Sequence, residues 1–226
     1  MGNRGQRPVP FSRSAFLNFA TYLQDNSARK ANNRVERREH LISKVESQLM
    51  SGKWSLLVLA AALLTTIAQV VIYGGQLPDE VASHFGANGQ ADGSMSRTAF
   101  LVFFVALQFG LALMMVGIGF LMSKLPPSLL NIPNKEYWLH EDRKDATIVF
   151  NQGVLNWIAA ATAIFMVVVF QMTIQANIGN ADRSLNMPVV VVALVLYLCL
   201  VMGLSILIFA RFSNVPAKNA KLDAGQ

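Results

Sequence analysis

The sequence predicts an all-α integral membrane protein, a four-helix bundle that crosses the bilayer four times. Four apolar runs contain no charged residue: 54–73, 98–123, 154–174 and 187–210. A helix needs about 20 apolar residues to cross a hydrocarbon core about 30 Å thick, because each residue adds about 1.5 Å. Charged residues make up 14% of the chain, against about 25% in a soluble domain. A soluble protein is disfavoured, since a chain this short cannot enclose four such helices.

The Lys and Arg residues predict the orientation of the chain. They number ten in residues 1–53, one in 74–97, four in 124–153, one in 175–186 and three in 211–226. Segments rich in Lys and Arg stay in the cytoplasm. We therefore expect both termini and the central connector to be cytoplasmic, and the first and third connectors to lie outside. This topology accounts for most of the net charge of +6, so no nucleic-acid partner is expected.

The basic N-terminal segment, residues 1–53, contains no short apolar segment with a small-residue cleavage site. We therefore expect no cleaved signal and expect the first span to act as an uncleaved insertion signal. Anionic lipid headgroups are its expected partner, besides the lipid bilayer itself. Two apolar patterns predict amphipathic helices here. The first fits either a helix lying on the membrane or one packed on the protein's own connector, and the second, over residues 34–50, fits a cytoplasmic helix. The apolar positions are Phe16, Phe19, Ala20 and Leu23, and then Val35, Ile42, Val45 and Leu49.

Polar residues within the spans are mild and carry no charge. Gln69, Gln108, Asn156 and Gln171 are expected to hydrogen-bond between helices, as such side chains do in membrane bundles. Pumps and secondary transporters place ionisable groups within the membrane, so these functions are disfavoured, while a passive path stays open. The single cysteine, Cys199, cannot form a disulfide within the chain.

The first connector, residues 74–97, is rich in turn-forming residues. Gly86, Gly89 and Gly93 permit positive φ, and Asn88 and Asp92 close turns with their side chains. The pattern predicts a run of turns that forms a compact cap. The cap either seals the outer end of the bundle or contacts an extracellular peptide or a neighbouring membrane subunit.

The connectors contain residue types that suit two kinds of chemistry. A single histidine, His84, lies near several carboxylates, but its spacing matches neither a zinc site nor a calcium loop, so we expect no metal and no cofactor. In the central connector, His140, Glu141 and Asp142 resemble acid–base residues, yet no activated nucleophile accompanies them. We therefore expect no catalytic residues and no enzyme activity.

The two connectors together resemble a bacterial membrane family that carries domain of unknown function 1648 (DUF1648) and includes the SdpI-type immunity proteins. The resemblance covers residues 54–150, and it implies a bacterial inner membrane protein. It departs from the family before His84, where Ala82 or Ser83 stands in place of a frequent proline. The outer pattern is matched by Leu77, Pro78, His84, Phe85, Gly89, Asp92, Gly93, Ser96 and Arg97, and the second pattern by Asn131, Pro133, Asn134, Lys135, Tyr137 and Trp138.

These observations predict a basic segment over residues 1–53, a two-span module over 54–150, a second pair of helices over 151–211 and a cytoplasmic tail over 212–226. The matched residues of both connectors are the candidate interaction residues. We expect a non-enzymatic membrane protein with a protein partner in the membrane, in an interaction, immunity, sensor or accessory-subunit role. The alternative is a passive transporter or a small-molecule exporter component.

Overall fold

The computed structural model describes residues 52–179 and 182–215, together with Tyr22 and Arg37, which are both helical. The predicted amphipathic helices before residue 52 otherwise lie outside the described residues. In chain order, the elements are α1 (Lys53–Tyr73), β1 (Glu80–Phe85), β2 (Ala91–Ser96), α2 (Arg97–Met122), a 3₁₀ turn (Pro127–Leu129), α3 (Lys135–Trp138), α4 (Glu141–Ile178) and α5 (Met187–Ser213).

Within the described residues, four helices are long and apolar enough to cross a membrane, namely α1, α2, α4 and α5. The predicted four-span, mainly helical membrane architecture is thereby confirmed. Large aliphatic side chains cover the outward faces of these helices, which is the composition that lipid as a solvent demands.

Helix α4 is the central element of the bundle, and α1, α2 and α5 each pack against it. It has 38 residues, so at about 1.5 Å per residue it is about 57 Å long and extends well beyond a hydrocarbon core. The sequence predicted a span over 154–174, whereas the helix begins at Glu141. Glu141 and Asp142 lie in its first turn, where acidic side chains stabilise the helix dipole. The expected division between residues 150 and 151 lies inside this helix.

The buried core forms three clusters along the bundle, and α4 contributes to each. In the middle cluster, small residues of α4 contact α1 and α2, which lets the helix backbones approach closely. One end cluster lies under the β-hairpin and the other lies at the opposite end. The cluster members are Leu59, Ala62, Ala112, Ala159, Ala160 and Ala163 in the middle; Leu77, Val81, Phe100, Phe104, Phe170 and Ile174 under the hairpin; and Leu130, Ile132, Leu139, Phe150, Val154 and Phe212 at the opposite end.

Three of the four predicted interhelical hydrogen-bonding residues are confirmed, namely Gln69, Gln108 and Gln171. Gln69 Nε2 donates to Gln171 Oε1 at 2.9 Å and to the Val167 carbonyl at 3.1 Å. Gln108 Nε2 donates to the Ala163 carbonyl at 3.2 Å. Both amides therefore join α1 and α2 to the central helix.

The first connector folds as a β-hairpin, and not as the run of turns that the sequence predicted. Strands β1 and β2 pair antiparallel, from Glu80 with Ser96 to Phe85 with Ala91. The turn-forming residues mark only the tip, where the Gly89 N–H donates to the Gly86 carbonyl at 2.8 Å. The strands were missed because neither has the alternating apolar pattern of a half-buried strand. Their pairing depends on contacts with the helix ends.

Candidate functional site

The hairpin is seated on an aromatic cluster at one end of the bundle. Val81 of β1 is fully buried and packs with three rings, Phe100 and Phe104 of α2 and Phe170 of α4. Phe104 and Phe170 stack with ring centroids 4.4 Å apart. Leu77, from the predicted motif, is also buried in this cluster, while Pro78 beside it is half-buried. The start of the motif therefore anchors the hairpin.

The side chain of Asn177 in α4 hydrogen-bonds to the backbone of β1 on the side away from β2. The Ala82 N–H donates to Asn177 Oδ1 at 2.8 Å, and Asn177 Nδ2 donates to the Ala82 carbonyl at 2.9 Å. One amide thus satisfies both backbone groups of a buried residue, as a neighbouring strand would. The Arg183 guanidinium adds a longer hydrogen bond to the Glu80 carbonyl, at 3.4 Å.

The hairpin tip is attached to the start of α5. Gly89 has φ of 80°, and its carbonyl accepts a hydrogen bond from the Leu185 N–H at 2.8 Å. A Cβ at Gly89 would lie 2.7 Å from Met187 Cγ and 3.0 Å from the Leu185 carbonyl oxygen. Both the conformation and the close approach therefore require glycine at this motif position.

His84 and Asp92 form the exposed polar pair of the hairpin. His84 Nδ1 is hydrogen-bonded to Asp92 Oδ1, and the two side chains are 77% and 52% exposed. Irregularities in strand pairing flank His84, which lies opposite Gly93. A Cβ at Gly93 would lie 3.1 Å from His84 Cβ, so the glycine leaves room for the histidine. Phe85, the next motif residue, is half-buried.

Ion pairing also fixes the base of the hairpin. Arg97 in the first turn of α2 pairs with Asp79 just before β1, and the Arg97 N–H donates to the Asp79 carbonyl at 2.9 Å. Ser96 caps α2 by accepting from the Ala99 N–H at 3.3 Å. The Ser96–Arg97 pair of the predicted motif is therefore the junction between β2 and α2.

At the other end of the bundle, the second motif holds the C-terminus of α5. Asn134 Nδ2 donates to the carbonyls of Phe212 and Ser213, at 2.9 and 3.3 Å, and Trp138 Nε1 donates to the Phe212 carbonyl at 3.2 Å. The last four carbonyls of a helix lack partners within it, so these donors cap α5. We name Asn134, Trp138 and the last turn of α5 the clasp.

Aromatic and cationic side chains surround the clasp. The Trp138 and Phe150 rings meet the buried Phe212 ring edge-on, with centroids 5.4 and 5.9 Å apart. The Arg211 guanidinium lies 4.0 Å from the Phe150 ring centroid. Cation–π contacts strengthen when they are shielded from water. The positive charge in the last turn also suits the negative end of the α5 dipole.

The neighbouring motif residues connect the clasp to α4. Arg143 Nε donates to the Tyr137 carbonyl at 2.9 Å, and its guanidinium lies 4.0 Å from the Tyr137 ring centroid. Thr147 Oγ1 donates to the Trp138 carbonyl at 2.9 Å. The short helix α3 is thereby fixed to the first turns of the long helix.

The remaining residues of the second motif are exposed. Asn131, Pro133 and Lys135 lie on the surface, beside an open depression of about 450 Å³ that Asn131 and Lys135 help to line. The structure therefore brings Asn134, Tyr137 and Trp138 together with α4 and α5, and leaves the other three facing outward.

Several residues of both sites lie beyond the predicted motifs. Asn177 hydrogen-bonds to the backbone of β1, and Leu185 hydrogen-bonds to the hairpin tip. The Phe212 carbonyl accepts the hydrogen bond from Asn134 in the clasp. All three belong to residues 154–226, where no motif was recognised. Asn177, a polar residue near the end of an apolar run, was the only sequence signal among them.

The described residues contain no group of three or more His, Cys, Asp and Glu side chains placed to hold a metal ion. His140 and Asp142, which the sequence suggested as acid–base residues, are an exposed pair at the start of α4, with Nδ1 and Oδ2 3.3 Å apart.

Comparison with known proteins gives one family match. Residues 52–109 match the model of the domain of unknown function DUF1648. Comparisons with curated proteins and with solved structures give no match. The matched segment contains α1, the hairpin and the first half of α2, and it ends before the clasp. The predicted resemblance to the DUF1648 family is therefore confirmed over residues 52–109, with the hairpin at the centre of the matched segment.

Proposed function

We propose that this protein is a non-enzymatic, multi-pass membrane protein that presents its hairpin to a protein partner. The role is that of an immunity, sensor or accessory-subunit protein. Both termini and the clasp lie in the cytoplasm of a bacterial cell, and the hairpin lies outside its inner membrane. The distribution of Lys and Arg supports this orientation.

One observation carries the proposal: an exposed His84–Asp92 pair stands on a hairpin whose backbone is held on three sides. Asn177 holds β1, Leu185 holds the tip, and the Asp79–Arg97 pair holds the base. Because a pre-organised surface loses little entropy on binding, this arrangement suits recognition. The paired imidazole and carboxylate offer a polar contact in a fixed geometry.

The proposal also accounts for the uncharged interior. A bundle without ionisable groups in its spans supplies no proton relay or ion-coupling site. Its polar chemistry is concentrated at the two ends, in the hairpin and in the clasp. The basic N-terminal segment adds attraction to anionic lipid headgroups on the cytoplasmic side.

The test is the capture of partners by tagged protein expressed at its native level and purified in mild detergent. The informative variant is His84→Ala combined with Asp92→Ala, and the matched control is Gln90→Ala, another exposed residue of the same hairpin. We expect mass spectrometry to find a partner with the wild type and with the control, and to find it depleted with the double variant. An unchanged set of partners in all three samples would refute the proposal.

The second candidate, a passive transporter or exporter component, draws on the buried amides. The Oε1 atoms of Gln69 and Gln108 are buried without a hydrogen-bond partner among the described residues. Yet each amide donates to α4, and the packing beside Gln108 leaves no room for a water molecule. Solute flux in proteoliposomes that contain only this chain would favour the transporter. We expect none.

A further inference from the structure

The start of α5 is attached to the tip of the hairpin. The Leu185 N–H donates to the Gly89 carbonyl at 2.8 Å, and the Met187 N–H donates in turn to the Leu185 carbonyl at 2.8 Å. The Met187 side chain lies so close to Gly89 that a Cβ at the glycine would be 2.7 Å from Met187 Cγ. The first turn of α5 is therefore in direct contact with the hairpin tip.

The opposite end of α5 is held by the clasp. Asn134 Nδ2 and Trp138 Nε1 both donate to the Phe212 carbonyl, at 2.9 and 3.2 Å. The Phe212 ring is buried against the Trp138 and Phe150 rings. Within α5, all of which the structure describes, Phe212 is the one buried residue. The last turn therefore fixes this end of the helix.

Between its two ends, α5 contacts α4 along one narrow seam. Half-buried residues recur every three or four positions, which places them on a single face of the helix, and the residues between them are exposed. The Tyr197 hydroxyl lies 3.2 Å from Thr162 Oγ1 of α4, and the rest of the seam is aliphatic. The half-buried residues are Val190, Ala193, Tyr197, Val201, Leu204 and Ile208.

The two helices of this seam differ in how deeply they are packed. Helix α4 has fifteen buried residues, and α1, α2 and α5 all pack against it, so a shift of α4 disturbs the whole core. A shift of α5 changes one seam and its two ends. Packed helices shift by about 1–2 Å in conformational transitions.

We propose that α5 couples the hairpin to the clasp. A displacement of the hairpin tip shifts α5 along its seam with α4, and this shift loosens the hydrogen bonds that hold Phe212. In the orientation proposed above, a partner that binds the hairpin outside the membrane thereby alters the clasp in the cytoplasm. That use rests on the proposed function, whereas the coupling itself is measured in the protein alone, without a partner.

Hydrogen exchange of the full chain in mild detergent, followed by mass spectrometry, tests the coupling. Gly89→Ala disturbs the tip at its contact with Met187, so the amides of α3 and of the last turn of α5 are expected to exchange several-fold faster. The matched control is Asn177→Leu, which releases β1 from α4 and leaves the contact between the tip and α5 in place. It is expected to leave exchange in the clasp unchanged. Equally fast exchange in the clasp of both variants would show a general loss of stability and would overturn the proposal.

The reciprocal measurement starts from the clasp, because coupling between two sites acts in both directions. Asn134→Gly removes the hydrogen bond to Phe212, so the amides of residues 86–90 at the hairpin tip are expected to exchange several-fold faster. The control Asn131→Ala, an exposed residue of the same connector, is expected to leave the tip unchanged. A tip that does not respond to Asn134→Gly would also overturn the proposal.

The coupling and the proposed function fail in different ways. If the tip and the clasp respond to each other while the double variant of the hairpin captures an unchanged set of partners, the proposed function fails and the coupling stands. If partner capture depends on the hairpin pair but the two ends of α5 do not respond to each other, the coupling alone fails.

Discussion

The clasp allows a prediction in which two physical contributions are separated at a single residue, Asn134. This residue has φ of 52° and ψ of 43°, the left-handed conformation that glycine and asparagine tolerate and that costs other residues about 1–2 kcal/mol. Its amide also makes two hydrogen bonds to the end of α5. A net contribution of about 1 kcal/mol is typical of a hydrogen bond in a protein.

The predicted order of stability depends on these two contributions. Asn134→Gly keeps the backbone free of strain and loses only the amide. The bond to Phe212 is the main contribution, since the bond to Ser213 is longer and exposed, so the expected cost is about 1 kcal/mol. Asn134→Ala loses the amide and adds the left-handed strain, which brings the cost to about 2–3 kcal/mol. Asn134→Asp tolerates the conformation, but its carboxylate cannot donate and faces the negative end of the α5 dipole. It is expected to fall below the glycine variant.

The measurement is reversible unfolding in mixed micelles, followed by tryptophan fluorescence, because Trp138 belongs to the clasp. The control is Asn131→Ala, an exposed residue of the same connector, which is expected to leave the free energy of unfolding unchanged. Equal losses for the alanine and glycine variants would show that the left-handed conformation carries no cost here. A glycine variant as stable as the wild type would show that the amide does not hold α5.

Other contacts give three further predictions. Asn177→Leu leaves both backbone groups of buried Ala82 without their partner and is expected to cost about 2–4 kcal/mol. Hydrogen exchange in the hairpin is expected to be faster in this variant than in the control Gln175→Leu, and equal exchange would show that Asn177 does not hold β1. Gly89→Ala places a Cβ 2.7 Å from Met187 Cγ at a residue with positive φ, so it is expected to lower the melting temperature in detergent. The control Ala87→Ser, at the same tip, is expected to leave the melting temperature unchanged, and an alanine variant as stable as the wild type would refute the close approach. Gln108→Leu removes the hydrogen bond to the Ala163 carbonyl and also a buried oxygen that lacks a partner, so the two effects are expected to offset and to change the unfolding free energy by less than about 1 kcal/mol. A larger loss would show that the hydrogen bond outweighs the cost of burying the oxygen.

The sequence predicted the spans well because their physical cause is local. Apolar runs of sufficient length must be helical in lipid, since every backbone group has to be satisfied within the segment. The interhelical role of Gln69 and Gln108 was predictable as well, because lipid offers an amide no hydrogen-bond partner and a neighbouring helix does.

The hairpin and the start of α4 depended on contacts that no local pattern contains. Strand β2 reads ADGSMS, without a β-branched residue, and it forms because β1 is held by Asn177, far along the chain. The motif residues His84, Asp92, Asn134 and Trp138 were identified as a group by resemblance. Their contacts became visible only in three dimensions, since Phe212 and Leu185 lie in residues 154–226, where no motif was recognised.

Helix α5 is secured at its ends more than along its length. Its most apolar window has no residue buried within the described structure, and it packs chiefly against α4, while Leu185 attaches its start to the hairpin and Asn134 and Trp138 hold its finish. Substitutions in the middle of α5 should therefore destabilise the protein less than substitutions at its two ends, which is the reverse of what is expected for an ordinary core helix. Exchanges among apolar residues in the middle of α5 should be tolerated as long as both ends stay attached and Tyr197 keeps its contacts with Thr162 and Phe165.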